Sequence, residues 1–113
     1  MTVSLVQLIA GPQNFDGKRV AVTGFVMLEA ENTAVYLHES DAAYGIFRNA
    51  LWLGVPLGGE SHRVRFHRRY VVIEGIFNAR RRGHGDAFSG SLEDISRFEL
   101  VEPRPGPLVP APH

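Results

Sequence analysis

The residues with chemical capacity gather in one stretch, 70–101, which reads YVVIEGIFNARRRGHGDAFSGSLEDISRFELV. At its centre Arg80, Arg81, Arg82 and His84 stand between and beside glycines, side chains suited to holding anions. The glycines nearly spell a dinucleotide fingerprint, but Phe88 stands where the last glycine belongs. The segment also leads into a strand, so no helix N-terminus awaits a pyrophosphate. His38, His62, His67 and His84 show no recognised metal-ligand spacing, and no metal site is expected. Ser61 beside His62, or His84 near Ser89, lacks any spacing that would imply a nucleophile and its base. Glu93 and Asp94 point to opposite faces of a regular strand, which removes a two-carboxylate mechanism. No catalytic activity and no cofactor are expected.

Charge supports a binding role of some kind. The chain carries 12 basic and 12 acidic residues, a formal net charge of zero, which opposes bulk attraction to nucleic acid or anionic lipid. The distribution is uneven: residues 60–85 hold seven arginines and two acids, whereas 86–102 hold one arginine and five acids. A basic patch is therefore compatible with neutrality, unless each arginine pairs with a nearby acid. Asp86, Glu93 and Asp94 are the acids placed to do so.

The elements that would position these groups are mostly strands. With 113 residues and 44% hydrophobic content, the chain suits one domain, assigned to residues 1–102. The absence of cysteine excludes disulfides and thiolate sites. The N-terminus has no basic leader region and no apolar run long enough for a membrane span, so a cytoplasmic location without membrane contact is expected.

Residues 3–10 read as a short helix, with Ser4 and Gln7 as a capping box and Val3 and Leu8 as a hydrophobic staple. Gly11-Pro12 ends it. After a turn at Asp16-Gly17, residues 18–29 form a long strand with Val20, Val22, Val26 and Leu28 on one face. Gly24 lies in phase with them and marks a bend of the kind a small barrel needs. Residues 34–38 and 50–55 are the second and third strands: Val35, Leu37, Leu51, Leu53 and Val55 face inward, and Tyr36, His38 and Trp52 face outward. Residues 39–49 are irregular, with one helical turn capped by Ser40 or Asp41. Residues 56–69 read as a loop. Residues 70–79 are a fourth strand with Val71, Ile73, Gly75 and Phe77 in phase, and 88–101 a fifth with a bulge near Glu93-Asp94. Residues 103–113 contain five of the seven prolines and read as an extended or disordered tail.

Five strands, a long bent first strand and a small core imply an all-β, OB-fold-like five-stranded Greek-key barrel with a short N-terminal helix. In SLVQLIAGPQNFDGKRVAVTGF, NALWL and YVVIEGIFNARRRGHGDAFSGSLEDI the chain resembles small bacterial OB-fold-like proteins of unassigned function. That resemblance implies a ligand face on the second and third strands, flanked by the first-second and fourth-fifth loops. The residues it singles out are Tyr36, His38, Trp52, Arg80, Arg81, Arg82 and His84. Two uses of this surface stand open. One is protein interaction or assembly, through a strand edge or the Tyr36–Trp52 face. The other is single-stranded nucleic acid, with bases stacked on aromatics and arginines on phosphates. Zero net charge and the nearby Glu29, Glu31, Glu39 and Asp41 favour protein interaction. Tyr44, Ile46 and Phe47 also need somewhere to pack, and Tyr36 and Trp52 offer a surface.

Overall fold

A computed structural model describes residues 1–54 and 60–103. Helix α1, Leu5–Ala10, begins at the expected capping box: the Gln7 backbone N–H donates to Ser4 Oγ at 3.1 Å, and the Ser4 N–H donates to Gln7 Oε1 at 2.8 Å. Val3, Leu5 and Leu8 are buried in the main core. The helix is too short to persist alone, so this burial holds it.

Strand β1, Arg19–Glu29, is long enough to serve two neighbours. Its second half pairs with β2, Asn32–Tyr36, while residues 19–26 pair with β4, Arg69–Asn78. Strand β3, Ala50–Gly54, joins β2 to β5, Ser91–Leu100. The five strands form one mixed sheet that closes on itself in the order β1-β2-β3-β5-β4. The β3–β5 pairing is parallel and the others are antiparallel. Every strand has two hydrogen-bonded neighbours, so none presents a wholly free edge.

Gly24 allows a close approach of β1 to its neighbours. A methyl group there would lie 2.6 Å from Val35 Cγ2 and 3.0 Å from Leu5 Cδ1, too close for any larger residue to pack undisturbed. The bulge in β5 falls where expected, since the register jumps from Glu74↔Arg97 to Ile76↔Glu93. Asp94 takes a positive φ of 51° there. Arg19 secures the bulge by donating to the Asp94 carbonyl and carboxylate and to Ser96 Oγ, at 3.1, 2.8 and 2.8 Å.

The ring interior is mainly aliphatic, with Val20, Val22, Val35, Leu51, Val71 and Ile73 among its buried members beside Phe77. Two expectations need correction. First, residues 60–66 are not a loop but helix α3, Glu60–Phe66. Its inner face consists of His62 and Phe66, one turn apart, whose rings meet each other and Phe98 at 4.5–4.8 Å. Second, the outer face of β1, β2 and β3 is not open to solvent. Phe25, Met27, Ala34, Tyr36 and Ala50 are buried there in a second cluster with Phe88.

Strand β2 ends at Tyr36, before Leu37 and His38. The Leu37 N–H donates to Asn49 O at 2.9 Å, and the His38 N–H donates to Asp41 Oδ2 at 3.0 Å. These bonds start helix α2, Glu39–Ala43, with His38 as its N-cap in place of Ser40 or Asp41. The predicted inward Val55 and the tail beyond residue 103 lie outside the described residues. No helix among the described residues is long and apolar enough to cross a membrane.

Candidate ligand cleft

The arginine-bearing segment between β4 and β5 is held at several points. Asn78 Oδ1 accepts from the backbone N–H groups of Arg80 and Arg81, at 3.0 and 3.2 Å, an Asx-type turn that fixes the exit from β4. The Arg82 Nε–H donates to Phe88 O at 3.0 Å, and the Phe88 N–H donates back to Arg82 O at 2.9 Å. These two bonds close residues 82–88 into a compact lobe. Within it, His84–Asp86 form one 3₁₀ turn.

Phe88 anchors that lobe to the sheet. Its ring meets Trp52 at 5.5 Å, Phe47 at 5.3 Å and Tyr36 at 6.5 Å between centroids, tilted or edge-on arrangements that aromatic quadrupoles favour. Gly83 adopts φ 72°, and a methyl group on it would come within 2.8 Å of both the Trp52 and Phe88 rings. Only a glycine lets the backbone lie this close at this φ. The lobe therefore rests directly on Trp52.

Between this lobe and the β1–β2 turn lies a cleft of about 790 Å³. Trp52 is its aromatic wall, with Arg80, Arg81, Arg82 and His84 on the lobe side. Ala30 and Glu31 line the β1–β2 side, and Asp86 adds a second carboxylate. Five of the seven residues singled out from the sequence thus meet in one place.

The other two do not join them. Tyr36 points away from the ring interior, as expected, but is 0% exposed. Burial raises the pKa of its phenol, whose O–H donates to Asn32 Oδ1. His38 is exposed beyond the opposite end of β2 and does not line the cleft. The expectation that both contact a ligand beside Trp52 is corrected accordingly. Of the residues expected to pack over the outer face, Phe47 meets Tyr36 and Phe88. Tyr44 and Ile46 remain exposed.

The arginines differ in their partners. Arg81 Nε lies 3.2 Å from Glu93 Oε2, and Glu93 also accepts from Ser91 Oγ and Asn78 Nδ2. Arg82 has one guanidinium N–H committed to the Phe88 carbonyl. Among the described residues, Arg80 has no carboxylate within ion-pair distance. Of the acids expected to neutralise the loop, Glu93 does so in part, while Asp94 pairs with Arg19.

Ser89 Oγ donates to the Arg48 carbonyl, a structural bond that ties the lobe to the segment before β3. No cluster of three or more potential metal ligands occurs among the described residues. Asn78 and Phe88, which build the lobe, were not singled out from the sequence, and only their place at the two ends of the basic segment marks them. No protein-family model, curated protein or solved structure matches the chain.

Proposed function

We propose that this protein is a non-catalytic binding module for single-stranded nucleic acid, held in the Trp52–arginine cleft of an OB-like barrel. The observation that carries the reading is the convergence of Trp52 with Arg80, Arg81, Arg82 and His84 on one cleft. A base stacked on an indole contributes roughly 1–3 kcal/mol, and arginines beside it neutralise the phosphates. The strand order, with its one parallel β3–β5 pairing, and a helix between β3 and β4 support an OB-like barrel. The cleft then lies between the first-second and fourth-fifth loops, where such barrels bind oligomers. Zero net charge weighs less against the reading once the arginines are grouped, because local charge governs contact at short range.

Fluorescence anisotropy with a short labelled single strand tests it. Affinity falls with added salt with a log–log slope no steeper than about −2, the limit if all three arginines neutralised phosphates of a single strand. The triple variant Arg80/Arg81/Arg82→Ala removes most of that dependence. Absence of salt-sensitive binding at low ionic strength overturns the proposal.

A second reading, protein interaction or assembly, draws on a different surface. Tyr44 is 82% exposed and is followed by exposed Ile46 and Phe47, an apolar group on the surface. Replacing Tyr44 and Ile46 with serine should abolish any self-association seen by sedimentation. An unchanged sedimentation profile removes this surface from consideration.

A further inference from the structure

We infer that the cleft takes one phosphorylated nucleoside unit, the terminal nucleotide of a strand or a free nucleotide, and not an internal run of nucleotides. This rests on the nucleic-acid reading above and narrows it. A protein that binds along a strand offers successive stacking surfaces in a basic groove that follows the backbone. Here the cleft contains one large aromatic wall, Trp52, with the smaller His84 ring on the lobe side. The next surface a continuing strand would meet is the outer face of β2 and β3, and it is roofed. Ala34, Tyr36 and Ala50 have no exposure at all there, covered by the aromatic group that includes Phe47 and Phe88. His84 adds only an imidazole on the lobe side of the same cleft, and His38 stands beyond the roof at the far end of β2.

The cations have the same limited reach. Arg81 is paired with Glu93, and Arg82 commits its Nε–H to the Phe88 carbonyl, which leaves Arg80 as the cleft guanidinium with neither a carboxylate nor a hydrogen-bond partner among the described residues. That suits a terminal phosphate more than a chain of them. Glu31 and Asp86 in the same cleft repel a backbone that continues past it, while their oxygens can accept from sugar hydroxyls or base amino groups. The cleft volume of about 790 Å³ lies within the range of small-molecule sites, roughly 300–1,000 Å³. Shape, stacking surface and charge agree on a ligand of one ring and one phosphate group.

Four ligands presented to the full chain at low salt test the inference. They are an end-phosphorylated linear oligonucleotide, the same strand without the phosphate, a circular single strand of the same sequence, and a free nucleoside monophosphate as competitor. The phosphorylated strand should bind at least about tenfold tighter than the circle, a difference of ~1.4 kcal/mol. The free nucleotide should displace it, and Arg80→Ala should abolish the advantage of the phosphate while Trp52→Ala weakens every ligand. If the circle binds as tightly as the phosphorylated strand, the inference falls and the strand-binding reading stands. If the free nucleotide binds but no strand does, strand binding falls and the single-unit site stands. Absence of all binding removes both.

Discussion

The two faces of the β1–β2–β3 sheet are buried by different means. The inner face is aliphatic and is closed by the ring, with α1 contributing Leu5 and Leu8. Its residues alternate along each strand, and ring closure brings them together. The outer face is smaller and aromatic. It is closed by groups distant in sequence, chiefly Phe47 before β3 and Phe88 after the arginine lobe. The inner face makes the fold; the outer face makes the site. Phe88 and Trp52 shield the sheet and also support the lobe that carries Arg82, so under the proposed function stability and ligand binding share residues on this side.

Substitutions that separate the two faces sharpen this distinction. Phe77 is fully buried in the inner core, and Phe77→Ala should cost about 3–5 kcal/mol of stability by urea denaturation. The fraction that remains folded should keep its ligand affinity. Phe88→Ala should cost less, about 2–3 kcal/mol, since its cluster is thinner and can partly collapse. It should also lower affinity more than Phe77→Ala does. Equal affinity losses in the two variants would refute the division of labour.

Gly83→Ala probes the contact between lobe and sheet. The added methyl meets Trp52 and Phe88 at a positive φ, and the expected cost is more than about 1 kcal/mol in stability. Because the lobe must lift off Trp52 to accommodate it, ligand affinity should fall further than the stability loss implies. A variant with native affinity would mean that the lobe's position does not matter to the cleft.

The smallest effect belongs to the inner core's margin. Burial, aided by the nearby Arg65 charge, holds the His62 pKa below its ordinary value. Its Nε2 is buried without a hydrogen-bond partner among the described residues. The unfolded chain takes up a proton near pH ~6.5 while folded His62 resists it. Stability should therefore decline as pH falls below that value and level off once the folded imidazole also protonates. His62→Phe should flatten this part of the stability–pH curve and leave ligand affinity unchanged. A curve of unaltered slope would assign the decline to other groups.

What the sequence made legible follows from locality. The Ser4–Gln7 capping box, the bulge beside Asp94 and the inward phase of Val71, Ile73 and Phe77 are each encoded within a few residues. The site was legible in part, because Trp52 and the triple arginine are conspicuous by type. Three features were not. Helix α3 is seven residues long with His62 and Phe66 as its inner pair, too few for a period to show. Tyr36 reads as solvent-facing under strand alternation, and only the tertiary arrival of Phe47 and Phe88 covers it. The Arg81–Glu93 pair joins residues across the β4–β5 hairpin, where charge counting offered several acids and no way to choose among them.

Trp52 is the chain's sole tryptophan, so its emission reports directly on the cleft. Titration with an end-phosphorylated single strand at low salt should quench and shift that emission. The change should saturate in parallel with anisotropy of the labelled strand and reverse on addition of salt. Binding seen by anisotropy with Trp52 emission unchanged would place the ligand elsewhere on the molecule and contradict the cleft as the site.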